Sequence, residues 1–251
     1  MNVAIIAAAG QGVRMGGNRA KQFLQLDGVP IIIHTLKRFE HCAAIDECIL
    51  VLPAADAAGF LDQAGKFGLR KLSQVVAGGP RRRDSVSRGL RAIRDATVEI
   101  VAVHDGVRPF VTAGEIDRTI TAAREHGAAV LVAPATDTIK EVDQGRVIRT
   151  LPREKLRHAL TPQCFRYELL RRAYEQSTEA DGDITDDSML VERLGETVAV
   201  VEGDSRNIKI TRPEDIALAE IILRQEPEFR GQKSEIRGQS KPVSGPLISD
   251  L

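Results

Sequence analysis

Tryptophan is absent from this chain and tyrosine occurs only twice, so aromatic residues make up 4% of it. A platform that stacks successive bases of single-stranded nucleic acid needs more aromatic surface than that, which argues against such binding. A surplus of one charge is lacking too, because 35 basic residues balance 35 acidic ones. No net field therefore draws the chain to nucleic acid or to an anionic membrane. No apolar run approaches the ~20 residues that span a bilayer. The opening Met-Asn-Val-Ala-Ile-Ile-Ala lacks the basic segment of a secretory signal. The three cysteines, Cys42, Cys48 and Cys164, fit no metal-ligand spacing and leave one unpaired. A reducing cytoplasm is the expected setting.

What is present is a glycine-rich loop with cations in it. Asn2-Val-Ala-Ile-Ile reads as a buried first strand, and it runs into Ala7-Ala-Ala-Gly-Gln-Gly-Val-Arg-Met15 and then Ala20-Lys21-Gln22. Glycines let backbone N–H groups approach a phosphate chain closely. Arg14 and Lys21 add charge that can stabilise what develops during a reaction. Three glycine motifs compete for this loop, and spacing separates them. The dinucleotide fingerprint needs G-x-G-x-x-G, but three residues, Val13 to Met15, part Gly12 from Gly16. A P-loop would end in Gly-Lys-Ser/Thr, and a kinase would carry a later His-Arg-Asp element; neither is present. What remains is Gly10-x-Gly12-x-Arg14-Met15 followed by Ala20-Lys21-Gln22, which looks like a nucleotide triphosphate loop built for chemistry, with a strand–loop turn bearing solvated basic residues as the competing reading.

Short apolar runs alternate with helical patterns through most of the 251 residues. Val3–Ala8, Glu47–Leu52, Gln74–Ala77, Ile100–Val103 and Ala128–Ala133 read as strands. Ile31–Phe39, Ala54–Phe67, Ser85–Ile93 and Ala113–Glu125 have helical spacing, and Thr211-Arg-Pro-Glu214 reads as a capping box before Ile216–Leu223. Continuous Val/Ile/Ala strands between helices predict one α/β domain with a mostly parallel, twisted, doubly wound sheet. Asp137–Thr150 departs from that rhythm and predicts a β-hairpin around Asp143-Gln144-Gly145. A hairpin alone is marginal, so it is expected to pack on another subunit, with a solvated flap as the competing outcome. Residues 226–251 are rich in Gly, Ser, Pro, Lys and Gln and predict a disordered tail.

In open α/β sheets ligands sit outside the carboxyl ends of the strands. There the chain collects Arg14 and Lys21, then Gly78-Gly79-Pro80-Arg81-Arg82-Arg83-Asp84-Ser85, then His104-Asp105-Gly106-Val107-Arg108. The glycine pair permits close approach, and Ser85 suits a helix cap or a ligand contact. The arginine run by itself suits a solvated face. Asp105 is placed to hold Mg²⁺, or else marks a turn, and Arg108 can fork onto a phosphate. His104 suits a structural role better than a base. In Asn207-Ile-Lys-Ile210 the alternation turns Lys209 away from its apolar neighbours, as a snorkelling stem or a third cation. The acidic run Asp181–Asp187 lacks the glycine of a calcium loop, so Thr185 capping a helix, with Asp186 and Asp187 in its first turn, explains it better.

Taken in order, Ala7–Met15, Ala20-Lys-Gln-Phe23, Asp84-Ser-Val86, Val103–Pro109, Asp137-Thr-Ile-Lys140, His158–Gln163, Ile184–Asp187 and Asn207–Asp215 resemble the 2-C-methyl-D-erythritol 4-phosphate cytidylyltransferase family from residue 2 to about 224. The resemblance implies a single Rossmann-like nucleotidyltransferase domain over residues 1–225, with a protruding dimer arm at about 136–155. It implies transfer of CMP from CTP to the polyol phosphate 2-C-methyl-D-erythritol 4-phosphate, with a divalent cation such as Mg²⁺. By the same resemblance Arg14, Lys21 and Lys209 are the charge-stabilising cations, and Ala8, Ala9, Gly10, Gly12, Gly79 and Ser85 hold CTP. Asp105, next to the metal, joins Arg108, Thr138, Arg153 and Thr161 at the acceptor, with Thr138 and Arg153 serving the site of a homodimer partner. Pro80 departs from the family, which often has Asp or Glu there; proline has no N–H, so any base contact from that amide is lost. The rival expectations are a ribitol 5-phosphate cytidylyltransferase and, from another class, a nucleotide-sensing module without turnover.

Overall fold

The computed structural model describes residues 1–10, 20–178 and 184–225. Strand β1 (Asn2–Ala7) is an unbroken apolar run because both its faces are covered: Val3 and Ile5 meet one helical layer, Ala4 and Ile6 the other. A short ribbon, β2 (Gln25–Leu26) with β3 (Val29–Pro30), leads into α1 (Ile31–Glu40). Then come β4 (Glu47–Leu52), α2 (Ala54–Ala57), α3 (Phe60–Gly65), β5 (Leu72–Ala77), α4 (Arg82–Ala92) and β6 (Ile100–Asp105). The chain continues through α5 (Ala113–His126), β7 (Ala128–Pro134), the hairpin β8 (Lys140–Asp143) and β9 (Arg146–Thr150), and the long β10 (Arg157–Arg166). It ends with α6 (Tyr167–Gln176), α7 (Ser188–Arg193), β11 (Ala199–Glu202) and α8 (Pro213–Gln225).

The central sheet has seven strands in the order β11-β7-β10-β6-β1-β4-β5. Every neighbouring pair is parallel except the two made by β10, which runs antiparallel to β6 and β7. Helices α1 and α5 cover one face through Leu36, Phe39, Ile116 and Ile120. Helices α4, α6 and α7 cover the other through Val86, Leu90, Leu170 and Val191. Helix α8 closes a third cluster with Leu26, Ile31 and Phe110. From β1 the chain builds outward through β4 to β5, then returns past β1 to lay down β6. The strand order thus switches between β1 and β6, whose last residues Ala7 and Asp105 are register partners. That switch opens a crevice for ligand. Among the described residues no helix is long and apolar enough to cross a membrane.

Several sequence expectations are corrected. Ala54–Phe67 is not one helix, because Gly59 takes a left-handed φ of 77° and splits α2 from α3. Helix α4 starts at Arg82, so Ser85 lies inside its first turn; Arg81 and Asp84 form the capping box. Helix α7 starts at Ser188, not after Thr185, and the Asp186 carboxylate accepts the Met189 N–H at 3.0 Å. In the last capping box the acid is Asp215, one residue beyond Glu214, and it accepts from the N–H of Thr211 and of Arg212. The 207–210 stretch, where apolar residues alternate with Lys209, is loop. The hairpin stands as expected, with its two-residue turn at Gln144 (φ 44°) and Gly145 (φ 76°), the positive pair of a type I′ turn. Both its strands are exposed throughout, including Val142, Val147 and Ile148.

Candidate active site

The floor of the crevice is the turn out of β1. Ala8 N–H donates to Val51 O at 2.8 Å and Gly106 N–H to Ala7 O at 2.9 Å, so this turn is pinned on both sides by neighbouring strand ends. Gly78 must lack a side chain, since a Cβ there would overlap that of Ala9 and lie 2.9 Å from Ser85 Oγ. Gly79 N–H donates to Ser85 Oγ at 3.1 Å, which binds the β5–α4 loop to its own helix. Around this floor lies an open cleft. One wall is Gly79 to Arg82 with Ser85, and the other is Asp105, Val107 and Lys209; Lys21 and Gln22 complete the lining among the described residues. The amide nitrogen of Gln22, a residue only 1% exposed, has no hydrogen-bond partner among the described residues.

Asp105 is the electrostatic centre. Its Oδ1 meets Arg82 Nε at 3.0 Å, while its Oδ2 meets Lys209 Nζ at 2.8 Å and Arg108 Nε at 3.5 Å. Burial pushes this carboxyl pKa up, but Arg82, Lys209 and Arg108 together pull it further the other way and hold it well below the usual carboxylate range. Arg82 is itself gripped from behind, its Nη1 lying 2.7 Å from the buried Asp187. Burial would weaken the Arg82 proton, yet Asp187 and Asp105 outweigh that and raise its pKa.

Lys209 reaches Asp105 because its loop is stapled to the β6–α5 turn. Arg108 Nη1 donates to Asn207 O at 2.7 Å, Ile210 N–H donates to Val107 O at 2.9 Å, and Asn207 Nδ2 donates to Thr161 O at 2.9 Å. Thr161 in turn accepts the Asp105 N–H at 3.2 Å. His104 faces away from this chemistry. It is fully buried against Phe39 with its Nε2 donating to Arg108 O, and burial pulls its pKa down to about 4. A neutral imidazole locked in that way is structural.

The structure therefore brings together Ala8, Ala9, Gly10, Lys21, Gly79, Ser85, Asp105 and Lys209 around one cleft, and Pro80 lines it too. Arg108 and Thr161 stand behind the wall, bonded to Asp105 and the 207 loop. Thr138 and Arg153 do not line the cleft; both are exposed near the hairpin, where Arg153 Nη1 donates to Thr136 O at 3.0 Å. Gly12, Arg14 and the 226–251 stretch lie outside the described residues. Arg82 is the main omission of the sequence reading, which left it in a solvated run. The signal was available: Arg82 precedes Val86 and Leu90 by four and eight residues, on the stripe that α4 buries. Asp187 was assigned to a helical first turn, and Gln22 was not singled out. Neither carries a local pattern that marks a partner elsewhere in the chain.

For a metal, the described residues offer Asp105 alone at the cleft, and no group of three His, Cys, Asp or Glu side chains gathers anywhere among them. That donor set fits a cation brought in on a triphosphate, where phosphate oxygens and water fill most positions and the protein adds one carboxylate. It does not fit a metal held by protein alone.

Residues 2–225 match the family described as IspD, 2-C-methyl-D-erythritol 4-phosphate cytidylyltransferase. A protein of that description from Syntrophus aciditrophicus is 44% identical over 226 residues, covering 89% of this chain and 96% of the relative. Another from Geotalea uraniireducens is 47% identical over 225 residues, covering 88% and 96%. Among solved structures, the 4-diphosphocytidyl-2C-methyl-D-erythritol synthase of Anaerococcus prevotii superposes with a TM-score of 0.77 at 33% identity, covering 89% of this chain and 98% of its own.

Proposed function

Because the chain belongs to the 2-C-methyl-D-erythritol 4-phosphate cytidylyltransferase family, we propose that it transfers CMP from CTP to that sugar-alcohol phosphate, releasing pyrophosphate and supplying isoprenoid biosynthesis. The observation that carries this reading is the Asp105 carboxylate ringed by Arg82, Arg108 and Lys209 at the sheet's switch point, beside a glycine-rich turn.

The acceptor's phosphate oxygen attacks the α-phosphorus of CTP, a new P–O bond forms, and the bond to the bridging oxygen of the pyrophosphate breaks. A phosphate monoester has a second pKa of about 6, so near neutrality it is mostly the dianion and needs no general base. That suits a site whose nearby His104 is buried and neutral. The work left to the protein is alignment and charge. Lys21 and Lys209, with Arg14 from the same loop, stabilise charge on the α-phosphoryl group and the leaving pyrophosphate. The Ala8–Gly12 turn, Gly79 and Ser85 receive the nucleotide. Arg108 and Thr161 serve the acceptor side, the first partly by fixing Asp105. Asp105 would hold Mg²⁺ together with the triphosphate, and the ion would supply neutralisation of phosphate charge.

Residues 1–225 act as one nucleotidyltransferase domain, and the arm of about 136–155 joins two copies as a homodimer. Support comes from exposed Val142, Val147 and Ile148, which give a thin ribbon an apolar face with no core of its own chain on it. Thr138 and Arg153 then serve the partner's cleft. Three buried free cysteines suit a cytoplasmic setting. The deciding experiment is pyrophosphate release with CTP, UTP and ATP crossed against 2-C-methyl-D-erythritol 4-phosphate and ribitol 5-phosphate. Turnover with CTP and the first acceptor alone is expected. Preference for ribitol 5-phosphate would reassign the substrate, and CTP binding with no release would make the chain a sensor.

A further inference from the structure

One buried charge plays no part in the chemistry above. Asp187 is 1% exposed, at the entry to α7, with Arg82 Nη1 at 2.7 Å on one oxygen and the Tyr174 hydroxyl donating to the other at 2.6 Å. Its backbone N–H donates to Gln163 Oε1 at 2.9 Å, which fixes where the side chain starts. Arg82 is consequently forked, with Nη1 on Asp187 and Nε on Asp105 at 3.0 Å. Its side chain is nonetheless 26% exposed and lines the cleft where a triphosphate would lie.

We propose that Asp187, aligned by Tyr174 and Gln163, is a positioning residue that clamps Arg82 against Asp105 and keeps its guanidinium off the arriving triphosphate. The inference rests on the CMP-transfer reading. A planar guanidinium released beside a polyanion pairs with it bidentately, in the ground state as well as in the transition state. Binding of that uniform kind tightens CTP without lowering the barrier. It also takes Arg82 from Asp105, so the carboxylate draws Lys209 more tightly and away from the phosphates. The clamp thus reserves the phosphates for Lys21 and Lys209.

The test is Asp187→Asn, which keeps the shape and removes the charge. CTP is expected to bind about tenfold more tightly by titration calorimetry, while kcat for pyrophosphate release falls about tenfold or more. A merely structural role predicts the opposite sign for binding: a loosened site holds CTP equally or less well. In an Arg82→Gln background, Asp187→Asn is expected to leave CTP affinity within about twofold, because no guanidinium remains to release. Unchanged or weaker CTP binding by folded Asp187→Asn overturns the proposal, as does full tightening in the Arg82→Gln background. If Asp187→Asn does not fold, Tyr174→Phe decides by the same binding measurement: tighter CTP supports the clamp, and parental affinity overturns it. Calorimetry with CTP alone reads the clamp even if the parent chain shows no turnover, so failure of the CMP-transfer reading is seen separately.

Discussion

Replacing Lys209 by methionine tests whether its charge works in the transition state, as proposed, or only holds the fold. Lys209 Nζ lies 2.8 Å from Asp105 Oδ2, and its side chain is 37% exposed. Removing it does not strand the carboxylate, because Arg82 at 3.0 Å and Arg108 at 3.5 Å remain. The lost pair is solvent-screened on the lysine side and contributes about 1 kcal/mol or less to stability. For a chain of this size that corresponds to a fall in Tm of about 2–4 °C at most. Activity is expected to respond very differently. Deleting one donor aimed at developing charge typically costs ~10²–10³-fold in kcat, or roughly 3–4 kcal/mol of barrier. Pyrophosphate release at saturating CTP and acceptor, with scanning calorimetry on the same sample, reads both quantities. A kcat within about fivefold of the parent refutes the assignment of Lys209, and so does a loss confined to the KM for CTP, which marks uniform binding instead. Arg82→Met gives the contrast. It leaves Asp187 charged and 1% exposed with no cationic partner among the described residues, so about 3–5 kcal/mol of stability should be lost and Tm should fall much further.

Gly78→Ala forces its new Cβ into Ala9 and within 2.9 Å of Ser85 Oγ, so the nucleotide turn must shift; the KM for CTP should rise about tenfold, and an unchanged KM would show that the turn does not touch the nucleotide. His34 is buried, and burial outweighs its bond to Leu26 O to bring its pKa down from 6.5 to about 4. A depressed pKa stabilises the fold fully above about 6.5 and loses that contribution as pH falls towards 4, so between pH 7 and about 4.5 the parent should lose roughly 2–3 kcal/mol more than His34→Gln in urea unfolding. Replacing Val142, Val147 and Ile148 of the arm by serine should turn a dimer into a monomer in sedimentation velocity while Tm of the core changes little; a dimer that persists places the interface elsewhere.

The strands covered on both faces were legible because burial on two sides leaves no room for polar alternation, and β1, β4, β6 and β7 accordingly read as continuous apolar runs. Strand β10 was not legible. It carries Arg157, His158, Thr161 and Gln163, and two of these earn their place by distant partners: Thr161 accepts the Asp105 N–H, and Gln163 accepts the N–H groups of Asp187 and Ser188. Such satisfaction is tertiary and leaves no local period. The stretch around Lys209 shows the converse. Its alternation sets Lys209 apart from its apolar neighbours, yet the residues form a loop whose shape is imposed by Arg108 and Val107. The lysine still reaches the cleft, because Ile210 is buried beside Val107 and Phe110 and turns its neighbour outward.

A cleft lined with cations faces mutual repulsion before its anionic substrate arrives. Two unit charges 4 Å apart repel by about 4 kcal/mol at an effective dielectric of 20, and Arg82, Arg108 and Lys209 all lie within 3.5 Å of one carboxylate. Asp105 offsets that repulsion and keeps the three in register. It does not hold them equally. Side-chain exposure falls from 37% at Lys209 to 26% at Arg82 and 11% at Arg108. Arg108 is further committed to Asn207 O and Arg82 to Asp187, whereas Lys209 ends a flexible stem at the solvent edge. On the proposed reading, the cation that exchanges Asp105 for incoming phosphate oxygens at least structural cost is Lys209. Arg82 then stays behind to keep the carboxylate ionised and in place, with Arg108 sharing that task beside its acceptor role. Charge that is fixed by the fold and charge that is free to follow the substrate are thus assigned to different residues of the same cluster.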